Sequence, residues 1–172
     1  FPVERTGKTL KVAIGDVPAG DVIDLVFTLT GAPGAPGEIL PFRASCHWTD
    51  PSTDNRHRWD ISPSPLERAT AQEVATTPQD PLVAERAALQ RAAAERRAGL
   101  ELDRAGRYLE SRARMAESVV YLRAAPQSAE VDLQLGESQF YAAMPASAPI
   151  DNHQRKAAQM REHLRRHGRP TE

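Results

Sequence analysis

The first sixty or so residues alternate apolar and polar positions with a period of two, which is typical of half-buried β-strands. In "TLKVAIGDV" the apolar side chains of Leu10, Val12 and Ile14 fall on one face. The same alternation continues in "DVIDLVFTLT", and further strands are predicted in "EILPFRASCHWT" and "HRWDI". The pattern predicts antiparallel, sandwich-like β-structure over residues 1–62. Its predicted sheet core comprises Trp48, Trp59, Ile23, Leu25, Phe27 and Leu29.

Turn and loop residues separate these strands. "VPAGD" supplies Pro18 and Gly20 for an antiparallel connection. The segment "GAPGAPG", residues 31–37, contains prolines that cannot donate to a sheet ladder, so it is predicted to be an exposed loop. The same prolines remove amide donors that a phosphate would need, which excludes a phosphate-binding loop. Residues 63–79 are polar and rich in proline and threonine, and they are predicted to be a linker or an extra edge strand.

From Asp80 the apolar period changes to that of a helix, and residues 80–168 are predicted to form α-helical hairpins, followed by a tail at residues 169–172. Asp80 before Pro81 is typical of a helix start. Gly106 is predicted to end the first helix in the left-handed conformation. A third helix is predicted over residues 129–143, and the capping box that begins at Asp151 predicts a last helix.

The second predicted helix has an unusually broad apolar face. Such a face indicates burial on more than one side. Its main stripe comprises Leu109, Ala113, Ala116 and Val120, and the stripe is widened by Tyr108, Met115, Val119 and Leu122. The complete prediction is thus an α+β chain, with an antiparallel β-sandwich portion followed by a helical bundle.

Composition excludes few functions. The net charge of -1 gives no general reason to expect nucleic acid or an acidic membrane as a partner. No apolar run approaches the roughly 20 residues of a membrane span. The single cysteine, Cys46, permits no internal disulfide. It shares its predicted strand face with Trp48, whereas His47 points to the opposite face, so we predict a buried thiol that no histidine activates.

The order of the predicted segments resembles a known family. It comprises a strand, "VPAGD", a second strand, a glycine/proline loop, "HWTDP", and then "RAGLELDRAGRYLESRARM". From Leu10 to about Val120, this order resembles the C-terminal region of bacterial von Willebrand factor type A (VWA) domain proteins. The resemblance implies a β-sandwich and a helical hairpin that accompany a metal-binding VWA domain. It implies no catalytic residue or cofactor within this chain, and a divalent metal only in the VWA domain itself.

The resemblance also makes the VWA domain of the same protein the expected partner. A small sheet needs a second layer to be stable. Because the chain begins at Phe1 without a methionine or a helix or strand start, we expect the missing strands and the VWA domain upstream.

The stretch "HWTDPSTDNRHRWDISPS" ends in Asp60, Ser62 and Ser64, which form the D-x-S-x-S string of VWA metal sites. In those sites the string follows a buried apolar strand and precedes a helix. Here "RHRW" precedes it, one proline lies within it at position 63 and another follows it at position 65, so neither condition is met. We interpret the string as a coincidence.

A second metal hypothesis groups His47, Asp50, Asp54, His57 and Asp60, because imidazole and carboxylate suit zinc or manganese. Strand alternation places His47 opposite the face of Trp48, and it places His57 on the face of Trp59. The ligands therefore do not converge. Aspartate and asparagine between residues 50 and 55 are typical of a turn, so the stretch predicts a hairpin.

The last predicted helix, "HQRKAAQMREHLRRHGRP", is rich in arginine. Arg161, Arg165 and Arg166 are candidate contacts for phosphate or an acidic surface. Cations near a helix C-terminus also complement the helix dipole, and no aromatic residue lies between them, so nucleic-acid binding is not favoured. A thin apolar stripe of Ala157, Met160 and Leu164 is predicted to dock this helix weakly.

These observations predict a non-enzymatic accessory region that supports protein–protein recognition. Two alternatives stay open. One is a metal-dependent binding protein or hydrolase that uses His47, Asp50, His57 and Asp60. The other is binding of nucleic acid or an acidic partner through the arginine-rich helix.

Overall fold

The computed structural model describes residues 2–18, 20, 22–61 and 65–166, with the backbone alone at residues 162, 165 and 166. Ser62 and Ser64, two of the candidate metal ligands, lie outside the described residues. The chain is mixed α+β, with strands in its first part and helices in its second. The coarse fold class predicted from the sequence is therefore confirmed.

The strands form three separate antiparallel pairs, β1 with β2, β3 with β6 and β4 with β5. Their bounds are β1 Val3–Thr6, β2 Thr9–Val12, β3 Ile39–Leu40, β4 Ala44–Thr49, β5 Arg56–Ile61 and β6 Leu66–Glu67. Two-stranded sheets of this size do not close into a sandwich among the described residues.

The helices are α1 Ala71–Thr76, α2 Pro81–Arg104, α3 Tyr108–Arg123, α4 Ala129–Ala142 and α5 Asn152–Arg166. The predicted start of α2 is confirmed, because the Asp80 carboxylate accepts hydrogen bonds from the amides of Leu82 (2.9 Å) and Val83 (3.1 Å). Gly106 has φ +77° at the turn between α2 and α3, as its predicted role as a helix stop requires. Local capping chemistry therefore sets the helix ends.

α1 lies within residues 63–79, for which the sequence predicted a linker or an extra edge strand. β6 is a two-residue strand in this range, whereas the residues of α1 are helical for a local reason. The Thr70 hydroxyl accepts from the amide of Glu73 at 3.2 Å, while the Glu73 carboxylate accepts from the amide of Thr70 at 2.7 Å. This reciprocal capping box starts a helix where a strand would leave both amides unpaired.

The chain divides into two compact units. One comprises residues 1–26 and 80–172, with the β1–β2 hairpin and the helices α2 to α5. The other comprises residues 27–79, with the remaining strands and α1. The sequence predicted domain boundaries near residues 62 and 80. Whether the segments on either side fold independently is not tested by this division, so these boundaries stay a prediction.

Residues 22–30 form no strand, so the second long strand predicted from the sequence is wrong. The alternation is present, but a ladder also needs a partner strand, and none pairs with this segment among the described residues. In the first unit, the carboxylate of Asp24 instead pairs with Arg86 on α2, with an Nε to Oδ2 distance of 3.1 Å.

The hydrophobic core lies between the helices. One buried cluster joins α2, α3, α4 and α5 and comprises Leu100, Met115, Tyr141, Ile150 and Ala158. A second joins α2, α3 and α4 and comprises Leu89, Ala92, Leu122 and Val131. The predicted sheet core is not formed, since Trp48 is 48% exposed and Trp59 is 62% exposed. The strands lack the second layer that would cover these side chains.

α2 and α3 pack closely because α2 carries Gly99 at their contact. A Cβ atom at this position would lie 2.9 Å from Met115 Cε and 3.2 Å from the backbone oxygen of Ser111. The glycine therefore leaves room for the Met115 side chain, which is fully buried.

The buried face of α3 differs from the predicted one. Met115, Val119 and Leu122 are buried together with polar neighbours, whereas the predicted main stripe points outward. Leu109 is 74% exposed and Val120 is 57% exposed. The prediction that α3 is buried on more than one side is therefore wrong for the described residues.

Candidate functional site

The β4–β5 hairpin contains most of the candidate residues. Its register pairs Cys46 with Trp59, His47 with Arg58, and Trp48 with His57. Because directly paired residues share a face, the hairpin has two faces of different chemistry. We call one the tryptophan face; it comprises Ala44, Cys46, Trp48, His57, Trp59 and Ile61. We call the other the polar face; it comprises Ser45, His47, Thr49, Arg56, Arg58 and Asp60.

The tryptophan face is open to solvent. Ile61 is 40% exposed and the two indoles are about half exposed or more, while Cys46 is partly covered. The indole of Trp48 stacks on the imidazole of His57, with centroids 5.2 Å apart and planes 17° apart. The prediction of a buried thiol at Cys46 is therefore wrong, because this side chain is only partly covered. None of the described residues between 27 and 79 is buried, so these residues form no internal core that could cover the side chains of the tryptophan face.

The polar face carries a local ion pair. The Arg58 guanidinium donates from Nε to Oδ1 of Asp60 at 2.8 Å, and both side chains are exposed. The hydrogen bond and the charge of Asp60 raise the pKa of Arg58 above its ordinary value. A depression of about 490 Å³ lies beside this pair, lined in part by Arg43, Ser45 and Asp60.

His47 lies near a serine hydroxyl on the polar face. Its Nε2 atom is 3.2 Å from Ser45 Oγ. A nucleophilic triad would need a carboxylate on the other ring nitrogen. The nearby Asp60 instead accepts its hydrogen bonds from Arg58.

The structure does not bring the candidate metal ligands together. His47 and His57 lie on opposite faces of the hairpin. Asp50 accepts from the Ser52 amide at 2.8 Å and from the Ser52 hydroxyl at 2.6 Å, and these bonds lower the pKa of its carboxyl group. Asp54 has φ +55°, in the left-handed region that turns use. Among the described residues, no three histidine, cysteine, aspartate or glutamate side chains are grouped to hold a metal ion.

The arginines of α5 serve partly internal contacts. Arg161 donates from Nε to Glu137 Oε1 at 3.0 Å and from Nη2 to the Tyr141 hydroxyl at 3.2 Å. Burial raises the pKa of Tyr141, although the positive charge of Arg161 opposes the shift. Arg155 lies with Nη1 3.5 Å from Asp103 Oδ2. The side chains of Arg165 and Arg166 lie outside the described residues.

The docking face of α5 is shifted from the predicted stripe. Ala158 is buried, whereas Met160 is 59% exposed. Arg155 and Arg161 lie on either side of Ala158 along the helix. Both form ion pairs with residues of other helices, so the side of α5 that carries Ala158 faces those helices. Polar contacts, which a count of apolar positions does not include, therefore set the rotation of this helix.

Sequence reasoning missed a buried ion pair in the helical core. Arg112 Nη1 lies 3.2 Å from Asp103 Oδ1, and the side chain of Asp103 is fully buried. The same carboxylate accepts from the amide of Ile150 at 3.0 Å, while Arg112 Nη2 donates to the carbonyl oxygen of Ala148 at 3.0 Å. We call this group the Asp103 cluster.

The Asp103 cluster joins the α2–α3 hairpin to the connection between α4 and α5. Within the described residues, the buried Arg112 Nε has no hydrogen-bond partner. A second buried arginine, Arg96, links α2 to α4 through the Gln134 oxygen (2.6 Å) and the Ser138 hydroxyl (3.1 Å). The sequence contains one signal for these buried charged residues. Charged residues recur on the faces of α2 and α3 that also carry Leu100 and Met115.

The buried arginines link neighbouring helices to one another, whereas the exposed side chains described above form the surface of the protein. Within the described residues, no helix has the length and apolarity to cross a bilayer. The chain matches no protein-family model, no curated protein and no solved structure. The interpretation of its function therefore depends on the surfaces themselves, and the tryptophan face is the most prominent of them.

Proposed function

We propose that this chain is a non-catalytic protein-interaction region of a bacterial VWA-domain protein, and that its tryptophan face packs against the metal-binding VWA domain. The observation that carries the proposal is the absence of any buried residue among the described residues from 27 to 79, together with the exposure of Trp48 and Trp59. The order of segments that resembles the C-terminal region of VWA proteins supports the choice of partner.

Exposed tryptophans favour an interface over a solvated surface. Tryptophan is enriched at protein interfaces because it buries a large area and loses little conformational entropy. Burial of the exposed parts of two indoles, roughly 200 Å² in total, contributes about 5 kcal/mol before the costs of association are subtracted. The described residues of the unit 27–79 bury little apolar surface against one another. Contact with a partner is therefore the main way in which this unit can gain hydrophobic stabilisation.

Open strand edges support the same proposal. β4 and β5 pair only with each other, so each has one edge without a neighbouring strand among the described residues. An unpaired edge can accept a further strand through its backbone amides and carbonyls. In the proposed assembly, a strand from the upstream part of the protein extends the β4–β5 sheet at one of these edges, while the VWA domain covers the tryptophan face. The divalent metal of that assembly belongs to the VWA domain.

The proposal is tested by measuring binding of the purified chain to the VWA domain encoded upstream in the same open reading frame. The double variant Trp48→Ser/Trp59→Ser is expected to bind at least about 30-fold more weakly, because both aromatic anchors are lost. The matched control is Leu82→Ser, which replaces a side chain that is 59% exposed on α2 and should bind as the unaltered chain does.

Three results would contradict the proposal. One is an upstream sequence without a VWA domain. Another is equal binding by the double variant and the unaltered chain. The third is stoichiometric zinc, magnesium or manganese in the purified chain, with a thermal shift on chelation, since the chain would then carry a metal site of its own.

A further inference from the structure

The connection that leads from α4 into α5 is fixed to the buried Asp103 cluster. Ile150, at its end, is buried, and its amide donates to Asp103 Oδ1 at 3.0 Å. Two residues earlier, the carbonyl oxygen of Ala148 accepts from Arg112 Nη2 at 3.0 Å. Backbone groups of the connection are therefore held by charged side chains of α2 and α3, and α5 begins directly after a fixed point.

α5 itself buries little apolar surface against the other helices. Among its described side chains, Ala158 alone is buried, and this side chain is a single methyl group. Ala157 and Leu164 are partly covered, whereas Met160 is exposed. Hydrophobic stabilisation scales with the apolar area removed from water, so apolar packing contributes much less to the docking of α5 than to the contact between α2 and α3.

Polar contacts join α5 to the neighbouring helices at two places along its length. Near its start, Arg155 Nη1 lies 3.5 Å from Asp103 Oδ2. Near its end, Arg161 donates from Nε to Glu137 Oε1 at 3.0 Å and from Nη2 to the Tyr141 hydroxyl at 3.2 Å. The C-terminal half of α5 is thus held on α4 by one guanidinium group with two partners.

The two ion pairs of α5 differ in their access to dissolved salt. The side chain of Asp103 is fully buried and that of Arg155 is 19% exposed, so this pair is largely shielded from counter-ions. The side chain of Arg161 is 41% exposed where it meets Glu137. Because salt screens partly exposed charges more strongly than buried ones, the pair near the end of α5 is the more sensitive of the two.

The helical structure of α5 depends on its docking. The helix has 15 residues, and isolated helices of about 12–15 residues are marginal in water. When the contacts of Arg161 are lost, the C-terminal turns therefore lose both their neighbour and much of their helical hydrogen bonding. Exchange of the backbone amides with solvent reports this opening directly.

We propose that α5 is an electrostatic strap that closes over Tyr141, with the Arg161–Glu137 pair as its latch. The strap opens from its C-terminal end, while the connection up to Ile150 stays bound to the Asp103 cluster. Opening uncovers Tyr141, which is 2% exposed in the closed state. The helical unit thus has a second state that ionic strength selects without unfolding of α2, α3 and α4. This device depends neither on the tryptophan face nor on the identity of the VWA domain.

The test is amide hydrogen exchange of the full chain, followed by NMR at two sodium chloride concentrations and the same pH. Between about 50 mM and about 500 mM salt, the amides from Ala158 to Arg161 are expected to exchange at least about threefold faster, because the latch is screened. The amide of Ile150 and those around Met115 in α3 should keep their rates, since neither depends on the latch.

The variant Arg161→Gln removes the latch. Its α5 amides should exchange at least about fivefold faster at low salt, and the salt effect should disappear. The matched control is Glu95→Gln, which removes an ion pair of the same length (3.0 Å) between Arg114 on α3 and Glu95 on α2. Buried Leu89 and Leu122 hold those two helices together, so the control should leave exchange in α5 and around Met115 unchanged.

Three outcomes overturn the proposal. In the first, the α5 amides exchange no faster than those around Met115, so that α5 opens only with the whole unit. In the second, neither salt nor Arg161→Gln accelerates exchange in α5, which would assign its docking to apolar contacts. In the third, the Ile150 amide accelerates together with α5, which would show that the connection is not a fixed point. If Arg161→Gln does not fold, the salt comparison on the unaltered chain decides.

Discussion

The helical unit and the unit of residues 27–79 contrast in how they use apolar side chains. The helices bury theirs in two clusters and add buried ion pairs that connect neighbouring helices. The second unit buries none of its described residues and is held by polar contacts, such as the Glu38–Arg68 ion pair (2.9 Å) and the Thr70–Glu73 capping box. Interior packing is the main source of stability, so the contrast assigns stability to the helices, and the proposed recognition role falls to the strands.

The largest expected effect is at the Asp103 cluster. Asp103→Ala removes the carboxylate that holds Arg112 and the Ile150 amide, and a buried cation is left without its counter-charge. Loss of one partner of a buried pair typically costs about 3–5 kcal/mol. Urea denaturation, followed by circular dichroism at the helix band, measures the loss in the free energy of unfolding.

Two controls sharpen this first prediction. Glu101→Gln removes an exposed pair with Arg104 and should change the free energy of unfolding by less than about 1 kcal/mol. The double variant Asp103→Leu/Arg112→Met replaces the pair with apolar side chains and should recover much of the loss. An Asp103→Ala protein as stable as the Glu101→Gln protein would show that the cluster does not stabilise the helices.

Met115→Ala is the next largest effect. The side chain is fully buried beside Gly99 and Leu100, so its truncation leaves a cavity and should cost about 2–5 kcal/mol. Met160→Ala is the matched control on α5, because Met160 is 59% exposed and its truncation should cost less than about 0.5 kcal/mol. Thermal unfolding of both variants measures the difference. Equal losses of stability in the two variants would show that the buried Met115 stabilises the protein no more than the exposed Met160 does.

A smaller effect is expected on the strand side of the comparison. Trp59→Ser removes a side chain that is 62% exposed, so unfolding of the helices should change by less than about 0.5 kcal/mol. The measurement is the same urea titration at the helix band. A loss of the size expected for Met115→Ala would show that the strands contribute to the stability of the helices, against the division of roles drawn above.

The smallest effect concerns α1 and pH. Hydrogen bonds from Thr70 lower the pKa of Glu73, so the folded state binds the proton of this carboxyl group less readily than the unfolded state does. The stabilisation of α1 is therefore fully present above the ordinary pKa of glutamate and is lost as the pH falls through the lowered value. The amide resonance of Thr70, followed by NMR during an acid titration, should report this loss, and Glu73→Gln should abolish its pH dependence.

Sequence reasoning succeeded where a few neighbouring residues decide the structure. The Asp80 cap, the left-handed Gly106 and the turn between Asp50 and Asn55 each depend on local backbone hydrogen bonds, which residue types at fixed spacing predict well. The separation of His47 and His57 onto opposite faces likewise follows from strand alternation alone.

The remaining features depend on contacts between distant residues. α3 has an apolar stripe on one arc and a mixed arc with Arg112 and Ser118 on another, and apolar periodicity favours the wrong one. The mixed arc is buried because Asp103, nine positions earlier in the chain, neutralises Arg112. The exposure of Trp48 and Trp59 was missed for a similar reason, since alternation predicts which side chains share a face but not whether a second layer covers it.

The unequal lengths of α2 and α3 have a consequence for local opening. α2 has 24 residues and α3 has 16, so α2 is longer by about 12 Å at roughly 1.5 Å per residue. The hairpin turns at Gly106, and Leu89 is the first buried residue of α2, so the excess lies at its N-terminal end, where Leu82 and Val83 are exposed. Amide hydrogens in these first two turns should exchange with solvent when the helix end frays. The Asp80 cap and the ion pair between Arg86 and Asp24 should slow this exchange. Amide hydrogens after Leu89 should exchange only when the helices separate. A single continuous helix thus contains two levels of protection, with the boundary near its eighth residue.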